Sequence, residues 1–154
     1  MDEARPIKVS FSFYLADVTA LAARVSELKK AGVMVRSATV LRALVYLTPT
    51  SEMFAHAVRL AGAQALGGAA HDEGSVTDHP TVDLPKENIR KLDGVVSQLA
   101  KARIIATRAF VVRAILRAAP DGKALAPGVE KFLRDFPNKP RGLSKIRLAR
   151  KAHG

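Results

Sequence analysis

Two short stretches of this 154-residue chain alternate hydrogen-bonding side chains with apolar ones. In the first, Lys8, Ser10 and Ser12 stand between Ile7, Val9, Phe11 and Phe13; in the second, His79, Thr81 and Asp83 stand among Pro80, Val82 and Leu84. A period of two places the polar and apolar sets on opposite faces of a half-buried strand. The polar set is suited to base edges: lysine can donate to guanine, the hydroxyls can donate or accept, and a carboxylate can accept from the cytosine amino group. The same residue types also occur on the solvated face of strands that bind nothing.

A second group with chemical potential is Val35, Arg36 and Ser37, repeated in kind by Ala106, Thr107 and Arg108. Both triplets lie where a helix is expected to begin, and the free backbone amides and dipole of a helix start favour an anion. Each triplet adds one arginine and one hydroxyl, in swapped order. The alternative reading of the same residues is an N-cap beside a solvated charge. Residues 137–154 hold Lys139, Arg141, Lys145, Arg147, Arg150 and Lys151 with no acidic residue. Such a block repels itself, stays solvated and binds polyanions without reading their sequence.

The concentration of metal-ligating types at His71, Asp72, Glu73, Asp78 and His79 falls in a glycine-containing linker, where polar residues are expected in any case. No metal and no cofactor is expected. The chain has no P-loop, dinucleotide fingerprint, serine elbow or His/Glu metal motif, so it does not read as an enzyme. With no cysteine, disulfides, thiolate zinc sites and thiol redox chemistry are excluded, which fits a reducing cytoplasm.

The elements that must carry these residues are visible as a repeat. Shifting the chain by 71 residues, without a gap, aligns Leu21 with Leu92, Val25 with Val96, Leu28 with Leu99, Lys30 with Lys101, Val40 with Val111, Arg42 with Arg113 and Pro49 with Pro120. Each copy runs strand, helix, helix. Val18, Leu21, Val25 and Leu28, and Ile89, Leu92, Val96 and Leu99, recur at three- and four-residue spacing and predict the first helices. Asp17 and Asn88 sit near their starts, Pro85 suits the opening of the second, and Gly32 supplies a stop. The second helices are expected over 36–47 and 107–118, ending at Pro49 and Pro120. They are apolar nearly all round, so they must be buried on more than one side and the copies must pack on each other. Residues 52–66 predict an added helix, 67–79 a linker and 127–136 a short helix. Pro80 withholds a ladder donor and makes the second strand shorter or irregular.

At 48% apolar residues and near-zero mean hydropathy the chain suits a soluble, mainly helical protein. No window reaches the roughly 18 apolar residues of a membrane span, and the N-terminus does not read as a secretion signal. The net charge of +11 raises the expectation of a polyanionic partner. The basic excess is concentrated in residues 121–154, with 9 basic side chains against 3 acidic.

One strand followed by two helices, present twice, resembles the ribbon-helix-helix superfamily of DNA-binding proteins that includes the MetJ and Arc repressors; the tandem form resembles the TraY relaxosome proteins. The resemblance implies a mainly α fold with a short two-stranded antiparallel ribbon, built as a tandem pseudo-dimer with an extra helix and a basic tail. The units would be 1–50 and 76–120, packed as one domain, with 51–75 as helix and linker and 121–154 as short helix and tail. It implies that the ribbon enters the major groove of double-stranded DNA, with Phe11, Phe13, Val82 and Leu84 towards the helices. Lys8, Ser10, Ser12, His79, Thr81 and Asp83 would then meet bases, and the two triplets at the second helices would hold phosphates. Asp83 and Pro80 depart from the family pattern, and the unlike halves predict an asymmetric target. The role would be transcriptional repression or plasmid accessory work, in the bacterial cytoplasm at nucleoid or plasmid, with further copies of the chain, a relaxase or a partition protein as partners. These roles share one ribbon and are not separable by sequence. The competing reading is a basic helical module in which residues 102–119 dock on a protein groove or a membrane surface.

Overall fold

The computed structural model describes residues 5–67 and 74–136. The alternating stretches form β1 (Ile7–Ser10) and β2 (Thr81–Leu84), paired antiparallel with Ile7 opposite Leu84, Lys8 opposite Asp83, Val9 opposite Val82 and Ser10 opposite Thr81. An isolated strand leaves its amides and carbonyls unpaired, and the two stretches satisfy each other. Pairing continues past the regular ladder, with the Phe11 amide 3.0 Å from the Pro80 carbonyl and the Phe13 amide 2.9 Å from that of Asp78. Both strands are shorter than the alternation predicts. The reason is Pro80, which lies opposite Phe11 and has no N–H to return.

Among the described residues the helices are α1 (Leu15–Lys30), α2 (Ser37–Leu47), α3 (Thr50–Gly67), α4 (Lys86–Lys101), α5 (Arg108–Ala118) and α6 (Gly122–Asp135). Both ends of α4 and of α5 fall 71 residues after those of α1 and α2. α1 opens after Tyr14, and Asp17, the third residue of the helix, accepts from the Tyr14 amide through Oδ2 at 2.8 Å, the back-reaching bond of a capping box. α1 closes when the amide of Val33 reaches back to the Leu28 carbonyl at 2.8 Å, with Gly32 at φ 90°. α4 closes in the same way through Ile104 and Leu99, also 2.8 Å, but here Arg103 holds φ 67°. A left-handed residue after a helix is ordinarily glycine, since a Cβ there meets the following carbonyl.

Pro49 ends α2 and opens α3, its carbonyl accepting from the amides of Glu52 and Met53. The last helix begins five residues earlier than its predicted start at 127. Asp121 Oδ1 caps it by accepting from the Ala124 amide at 2.9 Å, and Pro127 is absorbed within the helix at the expense of one backbone bond.

A single core joins the elements. Val40, Leu41, Leu44 and Val45 of α2 and Val111, Val112, Ile115 and Leu116 of α5 are buried at its centre, as their apolar density requires. Phe11, Phe13, Val82 and Leu84 close it from the sheet side. α3 packs on α4 and α5, whereas α6 packs on α1 and α2, so each third helix crosses to the other half of the chain. Met53 and Ala57 of α3 and Val129 and Phe132 of α6 are thereby buried. Reading residues 52–66 as a single added helix therefore understates the organisation: α3 and α6 are a matched pair.

Polar groups fasten these crossings. Asp17 is fully buried and receives Arg113 Nε and Arg117 Nε from α5, each at 2.7 Å, while the Arg113 guanidinium lies 4.5 Å from the Tyr14 ring centre. Arg24 on α1 donates to the Ala119 carbonyl at the end of α5 at 3.1 Å. Lys91 on α4 donates to the Val45 and Tyr46 carbonyls at the end of α2, at 2.8 and 3.0 Å. Cations at helix C-termini are favourable, although partial burial pushes the Lys91 ammonium below the ordinary lysine pKa.

Candidate nucleic-acid interface

The sheet presents two unlike faces because side chains alternate along each strand. Its inner face is the buried aromatic and aliphatic set. Its outer face carries all six residues singled out from the alternation: Lys8, Ser10, Ser12, His79 and Thr81 are exposed and Asp83 is half-buried. The register arranges them in rows across the two strands. Lys8 lies opposite Asp83 and Ser10 opposite Thr81; continuing past Ser10, Ser12 falls opposite His79. The acidic departure Asp83 thus stands across from the only lysine of the face.

Rows along a strand recur about every 7 Å, so three rows extend over about 14 Å, or roughly four base-pair steps of 3.4 Å. A major groove about 12 Å wide admits a two-stranded ribbon. One end of the face is a charged pair, the middle is a pair of hydroxyls, and the other end is a hydroxyl and an imidazole.

The two triplets at the second helices are less alike in structure than in sequence. At α2 the helix begins at Ser37, with Val35 half-buried and Arg36 and Ser37 exposed, and no side chain caps the first turn. Arg36 has no ion-pair partner among the described residues. At α5 Ala106 is half-buried and Thr107 is the N-cap, its Oγ1 accepting from the Phe110 amide at 3.1 Å. Arg108 turns back to α4, where Nε and Nη2 meet the two carboxylate oxygens of Asp93 at 2.6 and 2.9 Å. That guanidinium holds the Asp93 carboxyl below its ordinary pKa. At Thr107 the capping interpretation describes the side chain as it stands.

Sequence reasoning missed Asp93 and the Asp17–Arg113–Arg117 cluster. For Asp93 a signal existed, because the 71-residue shift aligns it with Ala22 and Arg108 with Ser37. His71, Asp72 and Glu73 lie outside the described residues, as do Lys139, Arg141, Lys145, Arg147, Arg150 and Lys151. Among the described residues no cluster of three metal-ligating side chains forms. The apolar helix at 102–119 starts only at Arg108, and Val111 to Leu116 are all buried, so its apolar side is already occupied by the protein's own core. No described helix is long and apolar enough to cross a membrane.

Comparison with known proteins found no matching family model, no similar curated protein and no similar solved structure.

Proposed function

We propose that this chain is a tandem ribbon-helix-helix protein that binds double-stranded DNA by inserting the outer face of β1 and β2 into the major groove. The observation that carries this reading is the strand register. Ser10 and Thr81 are repeat equivalents, 71 residues apart, and they lie directly opposite each other. Pairing extends three residues to either side of them, from Ile7 and Leu84 to Phe13 and Asp78. A two-fold axis through that pair is what a dimer of identical units would have, and here one chain supplies both units. The crossed packing of α3 and α6 follows the same pseudo-symmetry.

In this reading Lys8, Ser10, Ser12, His79, Thr81 and Asp83 meet base edges, the α2 and α5 starts meet phosphates, and the net charge of +11 supplies sequence-independent attraction. Because Lys8 corresponds to His79 and Ser12 to Asp83, the two half-sites differ. Repressor and plasmid accessory roles, in the bacterial cytoplasm, remain the proposals for its place in the cell.

The test is selection of bound duplexes from a random pool at stated salt, followed by binding of the recovered duplex to the Lys8→Ala, Ser10→Ala, Ser12→Ala triple variant. Three contacts at about 1 kcal/mol or more each predict a loss of about a hundredfold or more on the selected duplex and a much smaller loss on a scrambled one. Unchanged affinity for the selected duplex sinks the ribbon mechanism.

A further inference from the structure

The two helix starts proposed to hold phosphates are not in the same state. At α2, Arg36 is exposed and without an ion-pair partner among the described residues. At α5, Arg108, the arginine of the other triplet, is held by a carboxylate of the protein itself. Asp93 presents both oxygens to Arg108 in the fork geometry that a phosphate would use. Nothing equivalent exists in the first half, where the aligned residues are Ala22 and Ser37.

Building on the DNA reading, we infer that Asp93 is an internal competitor for DNA phosphate at Arg108, making the first half of the chain the stronger backbone grip. The pair is exposed, with 42% of the arginine side chain and 49% of the aspartate side chain accessible. Exposed pairs contribute little, so a phosphate can displace this one. A phosphate arriving there must nevertheless exchange for an existing partner and tolerate a carboxylate left close by. At Arg36 it meets neither obstacle. Asp93 is therefore a positioning residue for polarity: it sets which half of the chain holds the backbone more tightly.

The experiment uses the full chain and the duplex recovered by selection, with affinity followed by fluorescence anisotropy from 50 to 300 mM KCl. Asp93→Asn is expected to tighten binding about fivefold at the lowest salt and to steepen the dependence of log affinity on log salt by about 0.9, the increment of one additional phosphate contact. The double variant Asp93→Asn, Arg108→Ala should return to wild-type affinity, which distinguishes release of Arg108 from simple loss of a negative charge. Arg108→Ala alone should weaken binding less than Arg36→Ala, which should also flatten the salt dependence. If Asp93→Asn leaves affinity and slope unchanged, or the gain survives in the double variant, or Arg108→Ala weakens binding as much as Arg36→Ala does, the inference is overturned. Absence of any duplex binding by the wild-type chain is a different result, and it overturns the DNA reading itself.

Discussion

The turn from α1 to α2 and the turn from α4 to α5 follow one path with different residues. Both end their first helix on a left-handed residue and a 2.8 Å backbone bond, yet the first uses Gly32 and the second Arg103. The halves diverge in the same manner elsewhere. Asp17, buried against two arginines, corresponds to Asn88, a buried amide. Gly122, at the start of α6, lies against α1 so tightly that a Cβ would come within 2.5 Å of the Leu28 nitrogen, and its amide donates to Glu27 Oε1 at 2.8 Å. Its counterpart Ser51 instead lines, with Thr50, Phe54, Gln98 and Lys101, a shallow hollow between α3 and α4. At these turns the backbone path is shared while the side-chain chemistry at the corresponding positions is not. Packing needs matched shapes at each crossing, but it does not require the same fastening on both sides.

This contrast can be broken most decisively at Asp17. Replacing it with alanine leaves Arg113, itself only 7% exposed, without its carboxylate, and stability measured by urea unfolding should fall by about 3–5 kcal/mol. Asn88→Ala removes no charge and should cost less than about 2 kcal/mol. Equal losses would mean the buried ion cluster does not distinguish the halves.

A smaller effect is expected at the third helices. Gly122→Ala forces α6 away from α1 and should cost about 1–3 kcal/mol, while Ser51→Ala, on the open counterpart, should stay within about 0.5 kcal/mol. Comparable costs at the two sites would show that the crossings are equally tight in solution.

The smallest effect has the opposite sign. Arg103→Gly relieves a left-handed residue bearing a Cβ and should raise stability by about 1 kcal/mol, whereas Gly32→Ala at the matching position should lower it by a similar amount. Thermal unfolding of the two variants side by side is sufficient, and a destabilised Arg103→Gly would mean that the arginine side chain contributes contacts exceeding its strain.

Much of this architecture is legible in the residues. The period of two across Ile7 to Phe13 identified the buried face, and the three- and four-residue spacings placed α1, α2, α4 and α5 within a few residues of their ends. The start of α6 lies five residues before the expected 127, because Asp121 caps it and Pro127 is accommodated inside it. The 71-residue shift carried one step beyond Pro49 and Pro120 would have aligned Thr50 with Asp121 and exposed the third pair. In the candidate interface, the outward residues of the strands were legible from alternation alone. The engagement of Arg108 with Asp93 was not, since its signal lies in the comparison of the copies, where both positions differ, and nothing local to either residue names the other.

Sequence alone determined the features that neighbours along the chain decide: which strand face is apolar, and where most of the helices begin and stop. These depend on alternation, capping and chain-breaking residues acting over a few positions. Tertiary structure decided the rest: that Ser10 meets Thr81, that α3 and α6 exchange sides, that Asp17 finds Arg113 and Arg117, and that Asp93 rather than solvent holds Arg108. Those pairings join residues from separate elements, and they exist only once a shared core has fixed where each helix lies.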